Sequence, residues 1–180
     1  MFEFLKAPFS VGAVAPCCEE TAVAMVEPLI KDDGFVLELG GGTGAFTQKL
    51  IEKIDHDKLF VVENNQTFFD LLSKKFPDHK ILFADAQELE KHLPLHVHRK
   101  IKYVVSGLPF RSLPDDVASN ILKSLKKVCA SDVVLVQFTY LKQPPLPEEA
   151  LLLFDFKPHF YKHIPENFPS ADIWVYKKKG

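Results

Sequence analysis

Short apolar runs alternate with one-faced amphipathic stretches along most of this chain, and that alternation sets the elements it predicts. The runs at 35–39, 58–63, 80–84, 102–105 and 132–140 are rich in Val, Leu, Ile and Phe and are bounded by turn residues, so each is predicted as a strand. The last is apolar almost throughout, the pattern of a strand covered on both faces. Between them the spacing predicts helices over about 16–30, 45–54, 67–76, 88–93 and 114–128. The first opens on Pro16 with Glu19 and Glu20 in its first turn, where a fixed φ and negative charge favour a helix start, and Lys31-Asp32-Asp33-Gly34 ends it. In the third, Phe68, Leu71 and Leu72 line one face, and Pro77-Asp78 stops it. Pro144, Pro145 and Pro147 stiffen a loop before a short helix at 148–154, and the β-prone runs at 159–164 and 171–178 form a terminal hairpin. Strands alternating with helices predict an α/β fold: a Rossmann-like three-layer sandwich around a mostly parallel, seven-stranded sheet, with the hairpin adding an antiparallel strand at one edge. Ligands in such sheets lie outside the C-terminal ends of the strands.

A glycine cluster stands at the first of those ends, in Val36-Leu37-Glu38-Leu39-Gly40-Gly41-Gly42-Thr43-Gly44-Ala45. Glycines at 40, 42 and 44 admit backbone angles closed to other residues and let a ligand lie against the main chain, beside the unpaired N–H groups of the next helix. Gly40-x-Gly42-x-x-Ala45 also satisfies a relaxed dinucleotide fingerprint, with Glu63 about 20 residues onward. Glu38 decides between the two ligands: a carboxylate at the strand mouth repels a pyrophosphate and suits a sulfonium carrying an ammonium, so S-adenosylmethionine is expected rather than NAD. The other strand ends fill in the same crevice. Glu63, followed by Asn64, can accept from both ribose hydroxyls; Asp85 can accept from the adenine amine while the Ala86 N–H donates to the ring. Ser106-Gly107-Leu108-Pro109-Phe110 closes the fourth strand. Each acid alone could equally be a solvated strand end or, for Asp85, a helix cap. Their shared position makes the case.

Composition narrows the picture further. At 180 residues, with 47% hydrophobic and 26% charged residues, the chain suits one domain burying roughly two thirds of its unfolded surface. A formal net charge of −2 supplies no global field for a polyanion, and no nucleic-acid partner is expected. Cys17, Cys18 and Cys129 form neither a disulfide framework nor a zinc spacing, and fit a reducing cytosol. His96 and His98 could share a strand face as metal ligands, but no third ligand is evident, so 94–100 is read as a solvated basic loop and no metal is expected. No run approaches the ~18 apolar residues of a membrane span.

With these residues in place, the chain resembles the class I S-adenosylmethionine-dependent methyltransferases, and within them the bacterial phospholipid N-methyltransferases. The resemblance rests on Val11-Gly12-Ala13-Val14-Ala15-Pro16, the Glu38 to Gly44 motif, Val105-Ser106-Gly107-Leu108-Pro109 and Asn167-Phe168-Pro169-Ser170-Ala171. It implies successive methylation of the amine of phosphatidylethanolamine, with Glu38, Gly40, Gly42, Gly44, Glu63, Asn64, Asp85, Ala86 and Ser106 on the cofactor. Ser106, the Leu108 backbone, Phe110 and Tyr140 are expected around the amine. More distantly it is similar to the ribosomal RNA adenine dimethyltransferases, which carry Asn-Leu-Pro-Tyr or Asn-Leu-Pro-Phe where this chain has Gly107-Leu108-Pro109-Phe110. An RNA adenine or small-molecule amine methyltransferase, or a cofactor-binding protein without catalysis, are the alternatives. Residues 1–16 separate from the methyltransferase domain at 17–180, because Phe2, Phe4, Leu5 and Phe9 beside Lys6 suit either a membrane-contacting segment or a cover over the cofactor. The protein is accordingly expected in the cytoplasm, peripheral to the inner face of the membrane, with Lys6, Lys177, Lys178 and Lys179 favouring anionic lipid.

Overall fold

The structure is a computed structural model that describes residues 18–30 and 34–179. The N-terminal segment and the Val11 to Pro16 motif lie outside the described residues, as does Cys17. Seven strands form one sheet: β1 (Phe35–Leu39), β2 (Leu59–Glu63), β3 (Lys80–Phe83), β4 (Ile101–Ser106), β5 (Cys129–Thr139), β6 (Phe156–Ile164) and β7 (Ala171–Lys178), in the order β3-β2-β1-β4-β5-β7-β6. Pairing is parallel from β3 to β5 and antiparallel from β5 through β7 to β6. The chain reverses its direction of growth between β1 and β4, the place where open α/β sheets leave a crevice.

The helices are α1 (Glu19–Val26), α2 (Ala45–Lys53), α3 (Gln66–Lys75), α4 (Leu89–His92), α5 (Asp115–Val128) and α6 (Glu148–Phe154). Alternating strand residues divide the core in two. Val36, Val61, Val105, Val136 and Ile173 meet Met25, Phe46, Leu50 and Leu72 of α1 to α3 on one face. Leu37, Val62, Val104, Leu135 and Tyr176 meet Leu89, Leu122, Leu125 and Phe154 of α4 to α6 on the other. Each fully buried aliphatic side chain there contributes about 1.5–3 kcal/mol.

Four details depart from the sequence pattern. β5 begins at Cys129, ahead of the apolar run, and Ser131 and Asp132 in it are exposed, so its first part is not covered on both faces. β6 begins at Phe156, because Pro158 sits on an edge strand, where a missing N–H costs no ladder bond, and Phe156 stacks on Phe154 with centroids 4.9 Å apart. β7, not β6, is the strand joined to the parallel sheet, so the hairpin contributes one interior and one edge strand. Since β7 starts beside the C-terminal end of β5 and runs away from it, Lys177 and Lys178 lie at the opposite end of the sheet from the crevice. The basic loop at 94–100 departs only in part: His96, Arg99 and Lys100 are exposed as expected, but Val97 is buried, the His96 ring also packs edge-on against Phe35, and His98 Nε2 pairs with the Leu93 carbonyl at 3.0 Å.

Candidate functional site

β1 delivers its last residue into a loop that only glycine can follow. Gly40, Gly42 and Gly44 have φ of +74°, +53° and +85°. At Gly44 a Cβ would also come within 2.8 Å of Phe76 Cε2, so both conformation and space exclude a side chain. At Gly42 a Cβ would meet nothing within 4 Å, which leaves this stretch of backbone open toward the crevice. The loop is anchored by Gly40 N–H to the Val62 carbonyl and Gly44 N–H to the Gly41 carbonyl, both at 2.9 Å.

Two carboxyl groups flank it in different states. Glu38 is fully buried; its Oε2 accepts from Thr47 Oγ1 at 2.7 Å and its Oε1 has no partner. Burial pushes its pKa up to about 8, against the Thr47 hydroxyl, which lowers it, while the Glu63 charge adds to the rise. Glu63 instead accepts from Gly42 N–H through Oε2 at 2.9 Å and from Asn65 N–H through Oε1 at 2.8 Å, tying the glycine loop to the start of α3. Asn65 caps that helix by accepting from the Thr67 and Phe68 N–H groups, and Asn64 beside it is exposed. Asp85 accepts from Gln87 N–H at 2.8 Å and from Gln87 Nε2 at 3.1 Å, so it caps the single turn Ala86–Glu88.

The end of β4 closes on β1 at backbone distance. Gly107 N–H donates to the Leu39 carbonyl at 2.8 Å, and a Cβ on Gly107 would lie 2.9 Å from the Gly40 carbonyl oxygen. Ser106 is buried, and its Oγ accepts from Leu108 N–H at 3.2 Å. The Leu108 carbonyl accepts from Phe110 N–H at 3.0 Å and from Gln137 Nε2 at 2.9 Å. Phe110 is 4% exposed and belongs to the core under α5, so its ring anchors the turn from beneath. Tyr140 stands exposed just past β5, edge-on to Phe138 at 5.3 Å, which is in turn edge-on to Phe46 of α2 at 5.7 Å.

The structure thus brings Glu38, the glycines, Glu63, Ser106 and Leu108 to one place, with Asp85 and Ala86 at the neighbouring strand end and Tyr140 on the rim. Sequence reasoning missed Thr47, Gln137 and the Phe46–Phe138 contact. A signal existed for Gln137, the one amide within the apolar run Val133-Val134-Leu135-Val136-Gln137-Phe138. The donor set fits a cationic amino-acid-bearing nucleoside: a buried carboxyl oxygen lacks a donor beside an open glycine backbone, and a second carboxylate sits one strand away.

Fold and site together define a class I S-adenosylmethionine-dependent methyltransferase. Residues 20–143 match the family model described as ribosomal RNA adenine dimethylase, and the chain belongs to that family. It is 25% identical over 142 residues to the ornithine lipid N-methyltransferase of Singulisphaera acidiphila, covering 76% of this chain and 74% of that one. It is 40% identical over 85 residues to an rRNA adenine N-6-methyltransferase of Bacillus licheniformis, covering 45% of this chain but only 26% of that relative's length. Among solved structures, an S-adenosylmethionine-dependent methyltransferase from Archaeoglobus fulgidus shares the fold with a TM-score of 0.64 at 18% identity, over 99% of this chain and all of that one.

Proposed function

We propose that this enzyme transfers methyl groups to the amine of a membrane lipid, with phosphatidylethanolamine as the first substrate to test. The observation that carries this reading is the approach at Gly107. In the adenine dimethyltransferase motif the equivalent residue is Asn, whose amide can grip the flat edge of a base; here any side chain would meet the Gly40 carbonyl oxygen at 2.9 Å. The site therefore offers no side-chain amide at that position to a planar amine, while an aliphatic amine needs none. The similarity to the ornithine lipid enzyme, which extends over most of both chains, supports a lipid amine, and the net charge of −2 argues against a polyanion.

In this reading Glu38 and the backbone at Gly40, Gly42 and Gly44 hold the amino-acid end of S-adenosylmethionine, Glu63 with Asn64 takes the ribose, and Asp85 with Ala86 takes the adenine. Ser106 lies between cofactor and substrate. The cofactor supplies an electrophilic methyl on a sulfonium. Attack on it is an in-line displacement, so what the chain contributes is chiefly alignment of the two centres. An aliphatic ammonium, with a pKa near that of a lysine, about 10.4, must first lose a proton. The Leu108 turn, fixed from below by Phe110, forms the wall against which the nitrogen rests, and the Tyr140 ring faces the positive charge that grows on it.

Incubation of the full chain with methyl-labelled cofactor and vesicles of phosphatidylethanolamine, vesicles containing ornithine lipid, or RNA tests the proposal. Label is expected in a lipid fraction. Label in RNA alone overturns it in favour of a nucleobase substrate, and label in neither favours a cofactor-binding protein without catalysis.

A further inference from the structure

Gln137 makes contacts that folding alone does not explain. It is 1% exposed, on β5 directly beside Ser106 of β4. Its amide nitrogen donates to the Leu108 carbonyl at 2.9 Å and to the Phe138 carbonyl at 3.0 Å, which uses both of its hydrogens. With the nitrogen so committed, the amide oxygen is directed away from both carbonyls, and it is buried without a partner. Trp174, its register neighbour on β7, likewise has a buried ring N–H without a partner. The amide oxygen buried without a partner costs free energy, which offsets part of what the two hydrogen bonds contribute to the fold. What the amide provides, and an apolar residue cannot, is a rigid link between β5 and the turn after β4.

We propose that Gln137 is a positioning residue for methyl transfer, pinning the Leu108 turn at the height at which the substrate nitrogen meets the cofactor. The proposal rests on the methyltransferase reading of the Ser106 to Phe110 turn and deepens it. A pinned carbonyl sets the distance between nitrogen and methyl, and a misplacement of about 1 Å there costs on the order of a hundredfold in rate. The hydrogen bonds of Gln137 go to Leu108 and Phe138 and not to the glycine loop or Glu38, so its removal is expected to leave cofactor binding intact.

Two variants of the full chain test this. In Gln137→Leu both hydrogen bonds and the unpartnered oxygen disappear; in Gln137→Glu the shape remains, but an ionised carboxylate faces the Leu108 carbonyl. Affinity for the demethylated cofactor, measured by calorimetry, is expected within twofold of wild type for both, and the melting temperature of Gln137→Leu within about 4 °C of wild type. The single-turnover rate at saturating acceptor is expected to fall at least twentyfold in both. The Gln137→Glu rate, taken as a ratio to wild type, recovers as pH falls, because the protonated carboxyl regains an O–H that can donate to Leu108, and burial raises the pH at which it does so. Gln137→Leu shows no such recovery. Rates within threefold of wild type overturn the proposal, as does a loss of cofactor affinity or, in Gln137→Leu, of melting temperature in proportion to rate, which marks a structural role. The comparison is made on whichever acceptor the wild type methylates, so transfer to RNA instead of lipid defeats the lipid assignment and leaves the test of Gln137 in force.

Discussion

A carboxyl group buried with one oxygen lacking a donor is held in its neutral form until a cation arrives, and Glu38 is such a group. Its pKa is raised from 4.5 to about 8, so between those values the folded chain keeps a proton that the unfolded chain has lost. The stability this contributes is fully present below about 4.5 and is lost as pH rises toward 8. Binding of a ligand ammonium favours the ionised form and runs the other way: affinity for the demethylated cofactor is expected to tighten from pH 6 to 8, by at most about tenfold per unit, and then level off. Calorimetry at pH 6, 7 and 8 measures it, and Glu38→Gln should flatten the profile as well as weaken binding. A flat wild-type profile removes Glu38 from the cofactor's amino group. Gly107 gives a second test at this scale. Gly107→Ala places a Cβ 2.9 Å from the Gly40 oxygen, with backbone on both sides and nothing flexible to yield, so the melting temperature and cofactor affinity are expected to fall together. The acids and glycines could be read from sequence because strand ends converge in this topology whatever the side chains do. The Thr47 bond to Glu38, the partners of Gln137 and the burial of Phe110 could not, since each depends on how two elements come into contact.

The sequence pattern specified strands and helices well wherever a change of period marked their ends: β1, α6 and β7 have the predicted bounds. It failed where sheet position overrides composition, as when an edge location let β6 run through Pro158. One long-range connection was signalled without its purpose. Asn167 is buried and accepts from Cys18 N–H at 3.0 Å and Thr21 Oγ1 at 3.1 Å, while its Nδ2 donates to the Pro169 carbonyl at 2.7 Å. It fastens the start of α1 to the β6–β7 turn. Asn167→Ala removes these three bonds and leaves the Cys18 N–H without its acceptor, at a cost of about 1–3 kcal/mol, and for a chain of this size each kcal/mol lowers the melting temperature by roughly 2–4 °C. A thermal melt followed by circular dichroism should show a drop of that order, and an unchanged midpoint would mean that α1 is held by packing alone.

That fastening fixes where the chain enters the fold. Ala171 pairs with Ile164, and Asp172 with Thr139 at the C-terminal end of β5, so the β6–β7 turn stands at the crevice end of the sheet, and Cys18 stands beside it. At this same end Tyr140 and Leu141 are exposed, Lys142 follows them, and Phe168 on the turn is 86% exposed. Among the described residues no helix is long and apolar enough to cross a membrane. On the lipid-amine reading we propose bilayer contact at the crevice rim, where Phe168, Tyr140 and Leu141 are exposed; Phe2, Phe4, Leu5 and Phe9, which lie outside the described residues, are candidates from the sequence alone. Lys177 and Lys178 lie at the far end of the sheet from this rim, whereas Lys142 follows it directly, so in this reading Lys142 adds attraction to anionic lipid of about 1 kcal/mol near the surface. Full burial of one such aromatic is worth about 1.5–3 kcal/mol, so half-insertion of Phe168 amounts to roughly 1 kcal/mol, or about fivefold in binding. In vesicle co-sedimentation the intact chain should bind, more strongly with anionic lipid; a chain lacking residues 1–9 should lose most of its binding, and Phe168→Ser about fivefold. Equal sedimentation of all three would place the contact elsewhere, and sedimentation of none would mean that the lipid is drawn from the bilayer without docking.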